Sequence, residues 1–281
     1  MAQRLTLIGF GEAGKTFACA AGWREAASAF DIKTGTASTR PAKLSDYADA
    51  GVRASDSPVR AIENSPVILS LVTADESLVA AREAARHMAP GALFLDMNSV
   101  APATKIGAAQ AIESAGGRYV DAAIMAPVDP AGLDVPLLLS GPWAEAGAQA
   151  LAALGFMQVR AVPGPVGRAS AIKMIRSVMV KGMEALTAEC LAAAARADVV
   201  DEVMASLGAD WAAKADYRLD RMMRHGLRRA AEMEEASATL EAFGVIPDMT
   251  RATVRRQREI GQAAINPVPE GLPAKLERLP A

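Results

Sequence analysis

The feature that most constrains the fold lies near the N-terminus, where the chain reads LIGFGEAGKTF. Its glycines, Gly9, Gly11 and Gly14, have the G-x-G-x-x-G spacing of a dinucleotide-binding turn. Gly9 and Gly14, together with Lys15 and Thr16, also have the G-x-x-x-x-G-K-T spacing of a nucleoside triphosphate-binding loop. Both motifs hold phosphate groups between a β-strand and the N-terminus of a helix. The turn therefore predicts an α/β fold with a nucleotide ligand, and it leaves hydride transfer and phosphoryl transfer open.

Strand-like and helix-like segments alternate through the first half of the chain. The segments RLTLIGF, SAFDIK, SPVILSLV, GALFLDMNS, RYVDAAIM and VPLLLSG predict strands, and GKTFACAAGWREAA, ESLVAAREAARHM, PATKIGAAQAIESAG and EAGAQALAALGF predict helices. Such alternation is typical of a parallel sheet with helices on both faces. We therefore expect an α/β dinucleotide-binding (Rossmann) domain over residues 1–163.

The second half of the chain, after the break PGPVG, has almost no strand-like segment. The segment ASAIKMIRSVMVKGMEALTAECLAAAARA predicts one long helix, because its apolar residues recur every three or four positions. Further helices are predicted at DEVMASLG, YRLDRMMRHGLRRAAEMEEASATLEAFG and MTRATVRRQREIG, with Gly226 as a candidate break in the second of these. The tail after Asn266 is proline-rich and is expected to be irregular. Residues 164–281 are thus predicted to form an all-α domain that the long helix links to the first domain.

Acidic residues further along the chain bear on the two interpretations of the glycine turn. Asp31 follows the predicted second strand, where a dinucleotide-binding domain has a carboxylate for the ribose hydroxyls. Asp96 ends the apolar segment ALFLD, where a triphosphatase would have its magnesium-binding carboxylate. Glu12 lies inside the turn, and its carboxylate disfavours a loop wrapped closely around phosphates. We favour the dinucleotide interpretation, with Lys15 as an ordinary residue of the first helical turn.

Composition limits the partners of the chain. Its 281 residues carry a formal net charge of −2 at pH 7, so no overall positive charge attracts nucleic acid or an acidic membrane. The two cysteines and two histidines lack metal-ligand spacing, and we expect no metal site. No apolar leader precedes the first predicted strand and no apolar run reaches membrane-spanning length. These observations predict a cytoplasmic protein that acts on a small molecule.

Three further segments occur in order and carry a family resemblance. They are DMNSVAPAT at residues 96–104, YVDAAIMAP at 119–127 and GPVGRASAIKMIRS at 164–177. Together with the glycine turn they resemble the β-hydroxyacid dehydrogenase family, which includes 6-phosphogluconate dehydrogenase and 3-hydroxyisobutyrate dehydrogenase. The resemblance covers nearly the whole chain. It implies a Rossmann domain followed by a helical domain that serves substrate binding and dimerisation, and it implies a homodimer.

The resemblance also implies which residues contact the cofactor. The implied set is Gly9, Phe10, Gly11, Glu12, Ala13, Gly14, Asp31, Lys33, Leu71, Val72, Thr73 and Asn98. Asp31 favours NAD, because its carboxylate would repel the 2′-phosphate of NADP. Lys33, Thr34 and Thr39 lie nearby and could accommodate that phosphate, so NADP stays open as the cofactor.

On the substrate side, the family's catalytic lysine falls on Lys173, which is the implied general acid/base. The candidate substrate contacts are Asn98, Ser99, Met125, Arg176, Ser177, His225 and Arg229. The segment around Met125 lacks the family's serine and two glycines, and Arg176 and Ser177 replace its two asparagines. The chain therefore resembles a divergent branch with an altered substrate segment, and the apolar Met125 predicts a bulkier or less polar substrate.

Residues near His225 form a polar stripe on a predicted helix. Arg221, His225, Arg229 and Glu232 are three or four positions apart, so they share one face. One interpretation is a site for an anionic substrate group. The other is a solvated face on which arginines pair with glutamates. The sequence leaves both interpretations open.

These observations together predict an NAD(P)-dependent oxidoreductase that oxidises an alcohol or hydroxy acid, or reduces the matching carbonyl. An imine or carbonyl reductase on the same scaffold is the first alternative. A dinucleotide-binding regulatory protein without turnover is the second, and the triphosphatase is the third. The substrate is expected to be small and anionic.

Overall fold

A computed structural model of the protein describes residues 5–280. The chain divides into two compact units, Met1–Lys173 and Met174–Ala281, and the division falls inside one long helix. The first unit is predominantly α/β and the second is all-α, which confirms the predicted fold class.

The first unit contains an eight-stranded sheet. Its strands are β1 (Leu5–Ile8), β2 (Ala27–Phe30), β3 (Arg53–Ala54), β4 (Val67–Ser70), β5 (Leu93–Asp96), β6 (Arg118–Ile124), β7 (Leu137–Ser140) and β8 (Val159–Ala161). Their spatial order is β3-β2-β1-β4-β5-β6-β7-β8, and each neighbouring pair is parallel except β6 and β7. The strand order reverses between β1 and β4, which is where open α/β sheets bind ligands.

Helices flank this sheet. They are α1 (Glu12–Ala21), α2 (Arg40–Ala50), α3 (Pro58–Ile62), α4 (Ser77–His87), α5 (Pro102–Ser114), α6 (Val128–Ala131) and α7 (Ala144–Ala153). Both faces of the sheet are buried at its centre: along β4, Val67 and Leu69 join one hydrophobic cluster and Ile68 joins another. This alternation follows from the pleat, which turns successive side chains to opposite faces.

The first unit differs from the sequence prediction at several elements, among them α2, β8 and the end of β2. Helix α2 was not predicted, because one of its buried positions is Lys43, and a buried lysine hides the apolar spacing of a helix. Strand β8 was not predicted either, because it has only three residues and none of them is fully buried. The predicted strand SAFDIK ends early at Phe30, because the Asp31 side chain caps a 3-10 turn at Ile32–Gly35.

The helix α8 (Arg168–Arg196) is continuous, as predicted, and is followed by α9 (Val200–Leu207), α10 (Trp211–Ala242), α11 (Asp248–Gln262) and α12 (Leu272–Leu276). The candidate break at Gly226 is wrong, because α10 passes through it unbroken. Gly226 instead permits close packing of α10 on α11: a β-carbon there would lie 2.5 Å from the Gln257 carbonyl oxygen and 2.7 Å from the Gly261 nitrogen. The tail is also more ordered than predicted, since it contains α12, and Lys275 Nζ pairs with Asp216 at 2.8 Å.

Within the second unit, α8 buries polar side chains and exposes apolar ones. Lys181 and Glu184 are buried against α10, whereas Ile175, Met179 and Leu186 are 49%, 68% and 49% exposed. A second copy of the chain would cover such an apolar face, and the homodimer stays a prediction. Among residues 5–280, no helix combines the length and apolar composition needed to cross a membrane.

Candidate active site

Most candidate site residues of the first unit follow strands that end at the same edge of the sheet. Strands β2, β1, β4, β5 and β6 are mutually parallel neighbours. The glycine turn follows β1, Asp31 follows β2, Leu71 follows β4, Ser99 lies just beyond β5 and Met125 follows β6. The topology therefore gathers residues that lie far apart in sequence at one edge.

The three glycines of the turn are required for different reasons. Gly9 has a φ of +86°, and a β-carbon there would lie 2.5 Å from the Leu71 carbonyl oxygen. A β-carbon on Gly14 would lie 3.0 Å from the Gly9 carbonyl oxygen. Gly11 has no atom within 4 Å of its β-carbon position. Gly9 and Gly14 are thus explained by the fold, whereas the open space at Gly11 fits the close approach of a diphosphate to the N-terminus of α1.

The side chains that a triphosphatase would use are engaged elsewhere. Lys15 Nζ pairs with Asp46 at 2.8 Å and with Asp49 at 3.0 Å, both on α2. Asp96 is fully buried, pairs with Lys105 and accepts a hydrogen bond from the Tyr119 hydroxyl. Neither residue has the environment of a magnesium–phosphate site, so the geometry supports the dinucleotide interpretation of the turn.

Asp31 lies beside the glycine turn and is bonded to it. Its Oδ2 accepts a hydrogen bond from Phe10 N at 2.8 Å, and its Oδ1 accepts one from Lys33 N at 2.9 Å. Each carboxylate oxygen can accept more than one hydrogen bond, so these bonds are compatible with ribose contacts. The Lys33 side chain is exposed next to it. The ribose contact by Asp31 stays a prediction.

Lys173 lies near the start of α8, and its Nζ donates a hydrogen bond to Ser99 Oγ. Both residues are partly exposed. This contact joins two segments that the sequence assigned to the site separately. The amine and the hydroxyl form a polar pair at the carboxyl edge of the sheet.

The first turn of α8 is held by Asp121, which the sequence prediction gave no role. Asp121 Oδ2 accepts hydrogen bonds from Gly167 N at 3.0 Å, from Ser170 N at 3.1 Å and from Ser140 Oγ at 2.9 Å. Its Oδ1 accepts one from Ser170 Oγ at 2.6 Å. Asp121 therefore caps the helix N-terminus with a charged acceptor and fixes the turn that presents Lys173.

A buried ammonium links Asp121 to the neighbouring strand. Lys105 Nζ lies 2.9 Å from Asp96 Oδ1 and 3.6 Å from Asp121 Oδ1, and all three side chains are fully buried. Tyr119 donates to Asp96 Oδ2 at 2.7 Å, and burial, followed by the nearby Asp96 charge, raises the pKa of Tyr119 well above its usual value. The tyrosine therefore stays a hydrogen-bond donor at neutral pH.

Asn98 was predicted to contact the substrate and the cofactor, and both contacts stay predictions. Asn98 is 3% exposed, and its Nδ2 donates to Ser70 Oγ at 2.9 Å, Ser77 Oγ at 3.2 Å and Asp96 Oδ1 at 2.7 Å. Those inward bonds use both amide protons. Asn98 thus supports the loop from beneath, and Ser99 is the residue of this pair that reaches the surface.

In the second unit, Arg229 pairs with Glu184, and its predicted contact with a substrate anion stays a prediction. Its Nε donates to Glu184 Oε2 at 2.9 Å and its second terminal nitrogen donates to Glu184 Oε1, so the guanidinium fork is already occupied. Gln257 Nε2 donates to the same Oε2 at 2.8 Å. The buried Arg229–Glu184 pair therefore accounts for the arginine at this position of the polar stripe.

The other predicted substrate contacts of the second unit lie on α8 and α10. Arg176 is exposed on α8, one turn beyond Lys173, and His225 is partly exposed on α10. Ser177 is buried, and Lys181 Nζ donates to its Oγ at 3.2 Å. Their contacts with a substrate stay predictions.

Comparisons with known proteins agree with this geometry. Residues 4–132 match the NAD binding domain of 6-phosphogluconate dehydrogenase, and residues 194–260 match a domain of unknown function, DUF1932. A conserved hypothetical protein from Sinorhizobium meliloti 1021 is 38% identical over 99% of this chain and 97% of its own, with a TM-score of 0.75. The conserved protein MTH1747, of unknown function and structurally similar to 3-hydroxyacid dehydrogenases, is 32% identical over 92% and 97% of the two chains, with a TM-score of 0.70.

A more distant structure shares the fold alone. The 3-hydroxyisobutyrate dehydrogenase of Mycobacterium tuberculosis, solved with L-serine, is 16% identical over 93% of this chain and 94% of its own, with a TM-score of 0.75. The fold and the glycine turn thus define an NAD-binding protein with the architecture of a hydroxyacid dehydrogenase. The chain belongs to the 6-phosphogluconate dehydrogenase-like family, in a divergent branch that carries the DUF1932 domain.

The open space at Gly11 leads to a testable expectation. Gly11→Val should raise the Kd for NADH by on the order of 100-fold, about 3 kcal/mol, because the isopropyl group would occupy the space of the diphosphate. The thermal midpoint should change little, since a β-carbon at Gly11 meets no atom within 4 Å. Nucleotide fluorescence titration and calorimetry measure the two quantities.

Gly9→Ala is the matched control, because it should lower the thermal midpoint through its collision with Leu71. A Gly11→Val variant that binds NADH like the parent would show that the diphosphate lies elsewhere.

Proposed function

We propose that the protein is an NAD(P)-dependent oxidoreductase that oxidises an alcohol or hydroxy acid, or reduces the matching carbonyl. The observation that carries the proposal is the hydrogen bond between Lys173 Nζ and Ser99 Oγ. It lies at the edge of the sheet where the glycine turn also opens. A polar amine–hydroxyl pair at this edge is suited to a substrate oxygen that gains or loses a proton.

The proposed roles follow from the balance of the reaction. When bound, the nicotinamide cofactor accepts the hydride from the substrate carbon. The neutral amine of Lys173 takes the hydroxyl proton as the carbon–oxygen double bond forms, and in reduction the protonated amine returns it. Ser99 Oγ orients the amine and offers a hydroxyl to the same oxygen. Arg176, one turn further along α8, is the proposed contact for an anionic group of the substrate.

Met125 supports the proposed apolar character of the substrate. It is partly buried, its N donates to the Pro136 carbonyl oxygen at 2.9 Å, and it packs on the cluster that contains Ala123 and Leu138. This wall offers dispersion contacts where the family has a serine and glycines. A substrate with an apolar substituent beside its hydroxyl therefore fits better than a compact polar acid.

A substrate panel tests this function. Hydroxy acids and alcohols graded by size, each with NAD⁺ or NADP⁺, are followed by the absorbance of reduced nicotinamide, and carbonyls and imines are tested with NADH or NADPH. We expect turnover of hydroxy acids that have an apolar side chain. Turnover of imines alone would favour the alternative reductase, and tight NADH binding with no turnover of any compound would favour a regulatory protein.

A further inference from the structure

The main chain of Phe10, the residue between the first two glycines of the turn, is held on both sides by charged side chains. Its N–H donates to Asp31 Oδ2 at 2.8 Å, and its carbonyl oxygen accepts a hydrogen bond from Lys43 Nζ at 2.6 Å. The Phe10 ring also packs on the ring of Tyr47, with centroids 4.9 Å apart. Lys43 and Tyr47 both belong to α2, so this helix fixes the turn from behind.

The ammonium of Lys43 is an internal charge. Lys43 is only 8% exposed, and besides Phe10 its Nζ contacts Asp46 Oδ2 at 2.8 Å. Asp46 Oδ1 also pairs with Lys15 on α1, and the hydrogen bonds from Lys15 and then Lys43 lower the pKa of Asp46. The Asp46 carboxylate is therefore charged at neutral pH. A chain of contacts, Phe10–Lys43–Asp46–Lys15, ties the turn to α2 and α1.

The bond to the Phe10 carbonyl acts on the phosphate-binding side of the turn. The Phe10 oxygen and the Gly11 N–H belong to one peptide group. A cation that donates to a carbonyl polarises the peptide and makes its N–H a stronger donor. Gly11 is the N-cap residue of α1, and the first N–H groups of a helix have no acceptor within the helix and can bind an anion. The positive charge of Lys43 lies at the opposite end of the same peptide group from the Gly11 N–H.

We propose that Lys43 is a positioning residue of the diphosphate site: its ammonium fixes and polarises the Phe10–Gly11 peptide, and so strengthens binding of the cofactor diphosphate without touching it. This role rests on dinucleotide binding alone. It is independent of Lys173 and of the substrate, so a failed substrate panel leaves it standing.

Ligand binding distinguishes this role from a purely structural one. In Lys43→Met, the Kd values for NADH and ADP-ribose should rise by about tenfold, since a hydrogen bond to a charged group is lost at the binding turn. The Kd for adenosine, which has no diphosphate, should change by less than about twofold. NADH fluorescence and competition calorimetry measure these values. A parallel loss for all three ligands, or an ADP-ribose Kd within about twofold of the parent, would overturn the proposal.

Lys15→Met is the matched control. It removes a lysine from the same Asp46 carboxylate, but that lysine does not contact Phe10. Its NADH Kd should stay within about twofold, because an exposed charge is screened by solvent. A loss as large as that of Lys43→Met would contradict a specific role for Lys43. If Lys43→Met does not fold, Lys43→Gln keeps a neutral donor, and its expected loss is smaller but still confined to the ligands with a diphosphate.

Discussion

Replacing Lys173 with methionine is expected to lower turnover by about 10²- to 10⁴-fold, the usual contribution of a general acid/base. Methionine keeps much of the apolar stem of lysine but cannot exchange a proton. The NADH affinity should stay within about twofold, since the glycine turn and Asp31 follow β1 and β2, whereas Lys173 lies on α8. Steady-state kinetics on a substrate identified by the panel, with NADH titration of the same samples, measures both effects.

Two variants sharpen this test. Lys173→Arg keeps a positive charge but stays protonated, so it should be nearly as inactive as Lys173→Met. Lys214→Met removes an exposed lysine from α10, and its activity should equal that of the parent. Turnover that survives in Lys173→Met would exclude Lys173 as the acid/base. Joint loss of turnover and NADH binding would indicate a structural role instead.

The second large effect is expected at Lys105. Lys105→Met should lower the free energy of unfolding by about 3–5 kcal/mol, because it leaves Asp96 and Asp121 buried without their shared cation. Denaturant unfolding measures this loss. The activity should fall as well, since Asp121 caps the turn from which Lys173 extends.

Lys214→Met again serves as the control, because its Lys–Asp pair is exposed and should add little stability. The double variant Lys105→Met/Asp121→Asn should regain part of the loss, since it removes one of the uncompensated carboxylates. If Lys105→Met unfolds at the same denaturant concentration as the parent, the buried pair is not a source of stability. That result would also show that the cap of α8 by Asp121 does not depend on the buried Lys105 charge.

Local patterns made the fold and the cofactor predictable. The glycine turn, the alternation of strands and helices and the periodic apolar residues of α8 are each contained within a short segment. Their physical basis is also local: backbone conformation, strand pleat and helical repeat. The match between Lys173 and the family motif likewise needed only the order of residues.

The polar network could not be predicted, because its members meet only after folding. Ser170 and Asp121 are 49 residues apart and Phe10 and Lys43 are 33 apart, and no spacing connects them. Helical spacing placed Arg229 on a polar face but could not show that Glu184 lies against it. The sequence likewise could not show that Asn98 is bonded to Ser70 and Ser77, which lie in other segments.

The two hydrogen bonds of the Phe10 main chain have a consequence for the affinity and selectivity of nucleotide binding. A flexible glycine loop must lose conformational entropy when a ligand orders it, which weakens binding. Here the main chain of Phe10, between Gly9 and Gly11, is hydrogen-bonded at its N–H to Asp31 and at its carbonyl oxygen to Lys43 on α2. We therefore expect a diphosphate to bind this turn with a smaller loss of loop entropy than it would at an unrestrained glycine loop, and ligands of a different shape to bind less well.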